Sequence, residues 1–262
     1  MIIEADLGRK KELHLCVVMS DSYLDIYQKV FNRTLPREFA SVNILHIRDY
    51  DSTPGAVGDH HFKIINYKRL HFVAQQMKLH EGDNLLVMDL DVVCFRDFKD
   101  EINSLLETND MVFQSNPHYP NMPYCIATWG LQCSRKNINF FKWAVLPKAN
   151  SLLFTAEYWN QNVGKPVPTH LFHFLNGEQA HHDGDACVVN SAILESELGQ
   201  ELKIGFLPDT YTQDPEGGTH PDQCVLYQSA GNAQSIQEKA EVLVNAHTYI
   251  REKIDFNKGR SS

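Results

Sequence analysis

The chain has 262 residues, of which 43% are apolar and 22% are charged. These proportions are ordinary for a folded globular protein and exclude a disordered or collagen-like chain. Asp and Glu outnumber Lys and Arg by 33 to 24, which gives a net charge of −9. Sequence-independent binding to nucleic acid is therefore not expected, since it needs a basic surface. A polyanionic ligand would need a local basic cluster or a metal ion on this protein.

The sequence carries no signal for a membrane or for secretion. It lacks a run of about 20 apolar residues, which a membrane-spanning helix requires, and residues 1–11 lack the apolar core of a signal peptide. The six cysteines are scattered without CxxC spacing, so we expect buried thiols in a reducing compartment and no structural zinc. We expect a cytoplasmic protein, or a chain trimmed of a membrane anchor.

Strand-like and helical segments alternate along the chain. The apolar patterns predict strands at 13–19, 42–47, 84–88, 111–114 and 125–133. They predict helices at 23–31, 60–79, 138–145 and 185–198, and a helix or helix-plus-strand at 233–244. Residues 49–58 and 208–218 are predicted as loops, and 147–184 as irregular structure. This alternation predicts an α/β fold with a mostly parallel central sheet. We expect one domain over residues 1–262, with frayed ends at 1–11 and 257–262.

Two carboxylates directly follow the apolar strand at 84–88. Asp89 and Asp91 are two residues apart, so in an extended chain they point to the same side. Ligands of open α/β sheets bind at the carboxyl ends of strands. Two acids facing one cleft repel each other unless a cation lies between them, and oxygen ligands suit Mg²⁺ or Mn²⁺. The alternative to a metal site is a solvent-exposed acidic turn without a function.

The same motif fits a second class of enzyme. An apolar strand followed by Asp-x-Asp is similar to the nucleophile loop of haloacid dehalogenase phosphatases, in which Asp89 would be phosphorylated. That family places the loop on its first strand and needs a later acidic pair. Here two strands precede Asp89, and Val189 and Asn190 stand where the second acid after Asp185 is needed.

Six segments lie in an order that is typical of one transferase family. They are 17–23 (VVMSDSY), 65–70 (INYKRL), the motif at 89–91, 111–133 with Gly130, 182–185 (HDGD) with Asn190, and 247–253 (HTYIREK). Together they resemble the retaining GT-A glycosyltransferases of the glycogenin and lipooligosaccharide galactosyltransferase type. Two positions differ from the family pattern: Gly184 replaces the Gln of D-Q-D, and Ile250 replaces the Gly of H-x-x-G-x-x-K, so that loop cannot have the same backbone.

The resemblance implies a GT-A fold and a reaction. A sugar would be moved from a nucleotide diphosphate-sugar, UDP-linked by the family's pattern, to a hydroxyl of a glycan or glycoprotein, with retention of configuration and with Mn²⁺ or Mg²⁺ as cofactor. It implies metal ligands at Asp89, Asp91 and His247, and donor contacts from Asp21, Arg69, Asp89, Leu90 and Lys253. Asp183 and Asp185 would flank the anomeric carbon and the acceptor hydroxyl. A third alternative is a catalytically silent nucleotide-sugar-binding module.

Overall fold

The strands and helices are given by a computed structural model, which describes residues 10–48, 60–116, 122–152, 174–175, 178–179, 184–213, 217–218, 220–229 and 236–260. Its strands are β1 (Leu13–Ser20), β2 (Ser41–Ile47), β3 (Asn84–Met88), β4 (Val92–Cys94), β5 (Met111–Ser115), β6 (Tyr124–Gln132), β7 (Phe174–Leu175), β8 (Glu178–Gln179), β9 (Ile204–Phe206), β10 (Tyr211–Thr212) and β11 (Leu226–Gln228). Its helices are α1 (21–34), α2 (His60–Leu79), α3 (Lys99–Thr108), α4 (135–152), α5 (Asp185–Glu195), α6 (Glu197–Gln200) and α7 (Ile236–Arg260).

The central sheet has six strands in the order β2-β1-β3-β6-β5-β9. β1 is parallel to β2 and to β3, and β5 is parallel to β9. Among the described strands of this sheet, β6 alone runs against its neighbours, since it is antiparallel to both β3 and β5. The predicted α/β fold with a mostly parallel central sheet is confirmed. The assignment of residues 1–262 to one domain stays a prediction.

Both faces of this sheet are covered, which explains why its inner strands are continuous apolar runs. Alternate residues of β3 enter two different cores: Leu85 and Val87 pack with α2, α4 and α5, and Leu86 and Met88 pack with α3. Gly130 in β6 faces α3: an added Cβ would lie 3.3 Å from Ile102 Cγ2 and Leu106 Cδ1 in that helix, and 2.9 Å from Val112 Cγ2 in β5. A larger residue there would push the helix away from the sheet.

A smaller sheet joins the C-terminal part of the chain to the Asp-x-Asp segment. Its order is β10-β11-β4, and β4 begins directly after Asp91. α7 covers this sheet with an apolar stripe that includes Leu243 and Ile250, packed against Val93 and Tyr227. The C-terminal helix is thereby held beside the chain segment that leaves β3.

Several boundaries differ from the sequence-based expectation. The helix predicted at 185–198 is divided at Ser196, which has extended backbone and accepts a hydrogen bond from the Gly199 N–H as the N-cap of α6. α7 continues to Arg260, where a frayed end was predicted. The short strands β9 and β11 were not predicted. The predicted loop 49–58 and most of 147–184 lie outside the described residues. No helix in the described part of the chain is long and apolar enough to cross a membrane.

Candidate active site

The Asp-x-Asp segment lies at the carboxyl edge of the central sheet, between β3 and β4. The Asp89 N–H donates to the Ala127 carbonyl in β6 at 2.7 Å. On the other side, the Ser229 N–H, directly after β11, donates to the Asp91 carbonyl at 3.0 Å. The backbone of the two acids is therefore held from both sheets, and their side chains meet at the junction of the two.

Arg69 brings a positive charge to this edge from the buried face of α2. Its Nη1 lies 2.8 Å from Asp89 Oδ1 and 3.1 Å from Asp185 Oδ2, and its Nη2 donates to the Ile126 carbonyl at 2.9 Å. Arg69 is 7% exposed. The guanidinium thus joins three separate segments of the chain, and two carboxylates that are 96 positions apart in the sequence share it.

Asp185 reaches Arg69 because α5 begins at this residue. The Ala186 N–H donates to Asp185 Oδ1 at 3.1 Å, as is usual for an acid in the first turn of a helix. Asn190 fixes the helix to β6: its Nδ2 donates to the Tyr124 carbonyl at 2.8 Å, and its Oδ1 accepts from the Tyr124 N–H at 3.1 Å. Asn190 is fully buried in this structural role, and Val189 lies in the core, so neither supplies the second acid that a haloacid dehalogenase site needs.

A second cation pairs with the other acid of the motif. Lys239 Nζ, on α7, donates to Asp91 Oδ2 at 2.7 Å and to the Tyr23 hydroxyl at 3.3 Å. Gln228 Nε2, at the end of β11, lies 3.4 Å from Asp89 Oδ2. Lys239 and Tyr23 therefore bring the C-terminal helix and the segment after β1 to the same carboxylate edge.

Three carboxylates and two cations share this site, which leaves one excess negative charge. Burial raises the pKa of Asp89 to about 7; Arg69 opposes this shift and Asp91 reinforces it. Burial also raises the pKa of the Asp185 carboxyl, against the effect of Arg69. For Arg69 burial acts in the opposite direction, but the carboxylates of Asp89 and Asp185 outweigh it and its pKa is raised. The carboxylates therefore stabilise the positive charge of Arg69, whereas the site stabilises the negative charge of Asp89 only weakly.

The contacts that the structure gives for Asp21, Leu90 and Lys253, the other predicted donor-binding residues, are with other groups. Asp21 follows β1 at the same edge of the sheet, and its Oδ1 lies 2.6 Å from His46 Nε2. Leu90 is a buried member of the core beneath the motif. Lys253 is exposed, and its Nζ lies 5.0 Å from the centre of the Tyr249 ring, one turn away on α7. Asp183 lies outside the described residues.

His247, predicted as a metal ligand, packs beside β4. Its ring stacks on Phe95 with centroids 5.7 Å apart, and burial and the charge of Arg251 lower its pKa. Among the residues that the structure describes, Asp89, Asp91 and His247 do not form a group of three metal-binding side chains with ligand atoms within 4.8 Å of one another. Such a group forms elsewhere in the structure. The structure thus does not bring His247 to the acids, and its role as a ligand stays a prediction.

Lys239 was missed by the sequence reasoning, although the sequence contains a signal for it. Buried residues of α7 recur at Leu243, Ala246 and Ile250, and Lys239 lies four positions before the first of them, on the same helix face. A lysine in an apolar stripe is rarely buried without a counter-charge. The pattern therefore indicates a buried acid near Lys239, though not which acid.

Comparison with known proteins supports the fold. Searches of protein-family models and of curated protein sequences find no match. Among solved structures, the bifunctional glycosyltransferase WbbM matches with a TM-score of 0.52 and 10% identity over 94% of this chain and 52% of WbbM. The glycosyltransferase GlyE of Streptococcus pneumoniae TIGR4 matches at 0.48 and 11% identity over 95% of this chain and 64% of GlyE. The galactosyltransferase LgtC, in complex with donor and acceptor sugar analogues, matches at 0.47 and 11% identity over 90% of this chain and 95% of LgtC.

The chain therefore spans 64% of GlyE and 52% of WbbM. At such low identity, the likeness to WbbM establishes the fold and leaves the activity open. The fold is that of a glycosyltransferase, as the resemblance predicted.

Proposed function

We propose that this chain is a glycosyltransferase that moves a sugar from a nucleotide diphosphate-sugar, UDP-linked, to a hydroxyl of a glycan or glycoprotein. The observation that supports it best is the bridge of Arg69 between Asp89 and Asp185. The bridge lies at the carboxyl edge of the sheet, where α/β folds bind nucleotides. It brings together the Asp-x-Asp segment and the start of α5, which lie far apart in the sequence.

The acidic chain needs local positive charge to bind a diphosphate, and the site supplies two cations, the buried Arg69 and the half-buried Lys239. Arg69 presents a planar guanidinium that suits sugar or phosphate oxygens. Lys239 holds its ammonium 2.7 Å from Asp91 Oδ2, at the junction of the two sheets. In this proposal the two groups stabilise the negative charge that develops on the leaving diphosphate. Lys253, which was predicted for this role, lies on the solvent-facing side of α7.

A divalent cation is the second part of the proposal, and the donor set at the motif fits one. The ligand atoms are carboxylate oxygens, and the Asp89 side chain keeps 32% of its surface accessible. The excess negative charge and the pKa of Asp89, raised to about 7, favour an added positive charge there. Asp89 and Asp91 would hold Mn²⁺ or Mg²⁺ together with diphosphate oxygens, and the ion would act as a Lewis acid on the leaving group. Lys239 would compete with such an ion for Asp91.

The segment 183–185 is proposed to lie next to the anomeric carbon, with retention of its configuration. Asp185 is 5% exposed and its carboxylate pairs with Arg69, so its part is to orient the guanidinium toward the donor sugar. Asp183, two residues earlier, is the proposed group beside the acceptor hydroxyl. NMR of the first product formed tests this assignment, because an inverted product would instead require a general base that deprotonates the acceptor.

One assay separates the proposed function from its rivals. The protein is incubated with Mn²⁺ and a panel of nucleotide diphosphate-sugars, and also with a simple phosphate ester, while released nucleotide and phosphate are measured. Nucleotide released from one donor supports the transferase, which hydrolyses its donor slowly without an acceptor. Phosphate released from the ester supports a phosphatase. Thermal stabilisation by a donor without turnover supports a binding module. Either of the last two results contradicts the proposal.

A further inference from the structure

A second cluster of metal-binding side chains lies at the opposite edge of the central sheet. Glu12 and His14 stand at the start of β1, and Asp83 comes directly before β3, which is parallel to β1. One ligand atom from each of the three lies within 4.8 Å of the other two. The backbone holds them in register, because the Glu12 N–H donates to Asp83 Oδ1 at 3.2 Å and the Asn84 N–H donates to the Glu12 carbonyl at 2.9 Å.

The histidine of this cluster points a buried nitrogen at the acids. His14 is 6% exposed, and its Nδ1 lies 2.9 Å from Ser41 Oγ. Its Nε2 is buried, has no hydrogen-bond partner among the described residues, and lies 3.5 Å from Asp83 Oδ2. A buried nitrogen left without a partner is costly, and a lone pair on it would repel the carboxylate. A cation between Nε2 and the carboxylates would remove both penalties.

The surroundings of His14 are those of a metal-binding imidazole. A ligating histidine usually donates its second ring N–H to an oxygen acceptor, which fixes the tautomer, and Ser41 Oγ is placed to accept from Nδ1. The His80 ring stacks on the His14 ring, with centroids 3.7 Å apart and planes 19° apart. This stacking fixes the ring plane, so that Nε2 stays directed at Asp83.

We propose that Glu12, His14 and Asp83 form a binding site for a divalent transition-metal ion, with Zn²⁺ as its best occupant. One nitrogen and two carboxylates are a donor set that Zn²⁺ accepts with a water as the fourth ligand. The nitrogen ligand disfavours Mg²⁺ and Ca²⁺, which prefer oxygen alone. The ion ties the start of β1 to the start of β3, at the edge of the sheet away from Asp89. Its role is structural and independent of the proposed transferase activity, and it uses none of the cysteines whose spacing led us to expect no structural zinc.

Calorimetric titration of tag-free protein with Zn²⁺ tests this site. The titration is done in an Asp91→Asn background, so that an ion at the Asp-x-Asp motif does not contribute. We expect one Zn²⁺ per chain, and we expect Glu12→Gln to weaken the binding at least tenfold. Glu12 is exposed, so its replacement leaves the core intact. Glu107→Gln is the matched control: Glu107 is also an exposed carboxylate but lies on α3, and this variant should bind Zn²⁺ as the parent does.

A second readout identifies the ligands. X-ray absorption of the Zn²⁺-loaded protein should show one imidazole and oxygen ligands, and the imidazole signal should be lost in His14→Gln. If that variant does not fold, Glu12→Gln and Asp83→Asn carry the test alone. Equal Zn²⁺ affinity in the parent and in Glu12→Gln would overturn the proposal, and so would a bound ion without an imidazole ligand.

Discussion

Replacing Arg69 by Met tests whether the buried charge bridge holds the site together. Methionine keeps much of the aliphatic stem, so the change mainly removes the charge and its hydrogen bonds. Asp185 then stays buried without its cation, and the half-buried Asp89 also loses one. Breaking a buried ion pair by removing one partner costs about 3–5 kcal/mol. The Asp89 side chain is 32% exposed, so only the pair with Asp185 is fully buried, and we expect about 3 kcal/mol, the lower end of that range.

The stability lost in Arg69→Met should depend on pH, and the direction of that dependence follows from the pKa values of the two acids. Without Arg69, the pKa values of Asp89 and Asp185 rise further, because burial already raises both. An acid whose pKa is higher in the folded state than in the unfolded state stabilises the fold at low pH, and that stability is lost as the pH rises through the folded-state pKa. Protonation therefore relieves the variant, and its deficit against wild type should be smaller at pH 5 than at pH 8.

Urea denaturation of wild type and Arg69→Met at both pH values measures this effect. Lys68→Met is the matched control, since Lys68 is the exposed neighbour on the same helix, and it should stay within about 0.5 kcal/mol of wild type. Adding Asp185→Asn to Arg69→Met should recover at least about 1 kcal/mol, because the uncompensated buried charge is then removed. An Arg69→Met protein that is as stable as Lys68→Met, or that shows the same deficit at pH 5 and pH 8, would refute this reasoning.

Three further predictions concern the metal and the C-terminal helix. EDTA should abolish nucleotide release and Mn²⁺ should restore it. Asp91→Asn should lose most of its turnover, because an amide is a poorer ligand for a hard cation. Full activity of Asp91→Asn in EDTA would refute the metal assignment. Lys239→Met should bind Mn²⁺ several-fold more tightly in a calorimetric titration, since Asp91 loses a competing cation; weaker binding would mean that Lys239 does not compete. His247→Ala should weaken the Mn²⁺ titration about tenfold if His247 is a ligand as predicted, whereas an unchanged titration would contradict that role and leave the stacking of its ring on Phe95 as its part in the structure.

The central sheet was predictable because its inner strands are buried on both faces. The strand at 84–88 and the helix at 60–79 agree with β3 and α2 because an apolar run and a 3.6-residue period are strong local signals. β9 and β11 have three residues each, and tertiary pairing rather than local pattern makes them strands. The division at Ser196 depends on a capping hydrogen bond, which a helical pattern alone does not specify.

The site was predictable in part for the same kind of reason. Asp89 and Asp91 follow an obvious strand, and the fold brings two other predicted site residues, Arg69 and Asp185, to the first of them. The pairing of Lys239 with Asp91 depends on how α7 lies against the small sheet, which no local pattern encodes. Long-range packing thus decides which cation meets which acid.

The most direct test of the account compares turnover of Asp89→Asn and Asp100→Asn with the donor selected from the panel. Both variants change one Asp to its amide, but the Asp100 side chain is 81% exposed and pairs with Lys10 on the surface. The account predicts that Asp89→Asn loses at least about a hundredfold in kcat, equivalent to about 2.7 kcal/mol of transition-state stabilisation, while Asp100→Asn keeps wild-type turnover. Equal nucleotide release by wild type and Asp89→Asn would contradict the claim that this edge of the sheet binds and activates a nucleotide diphosphate-sugar.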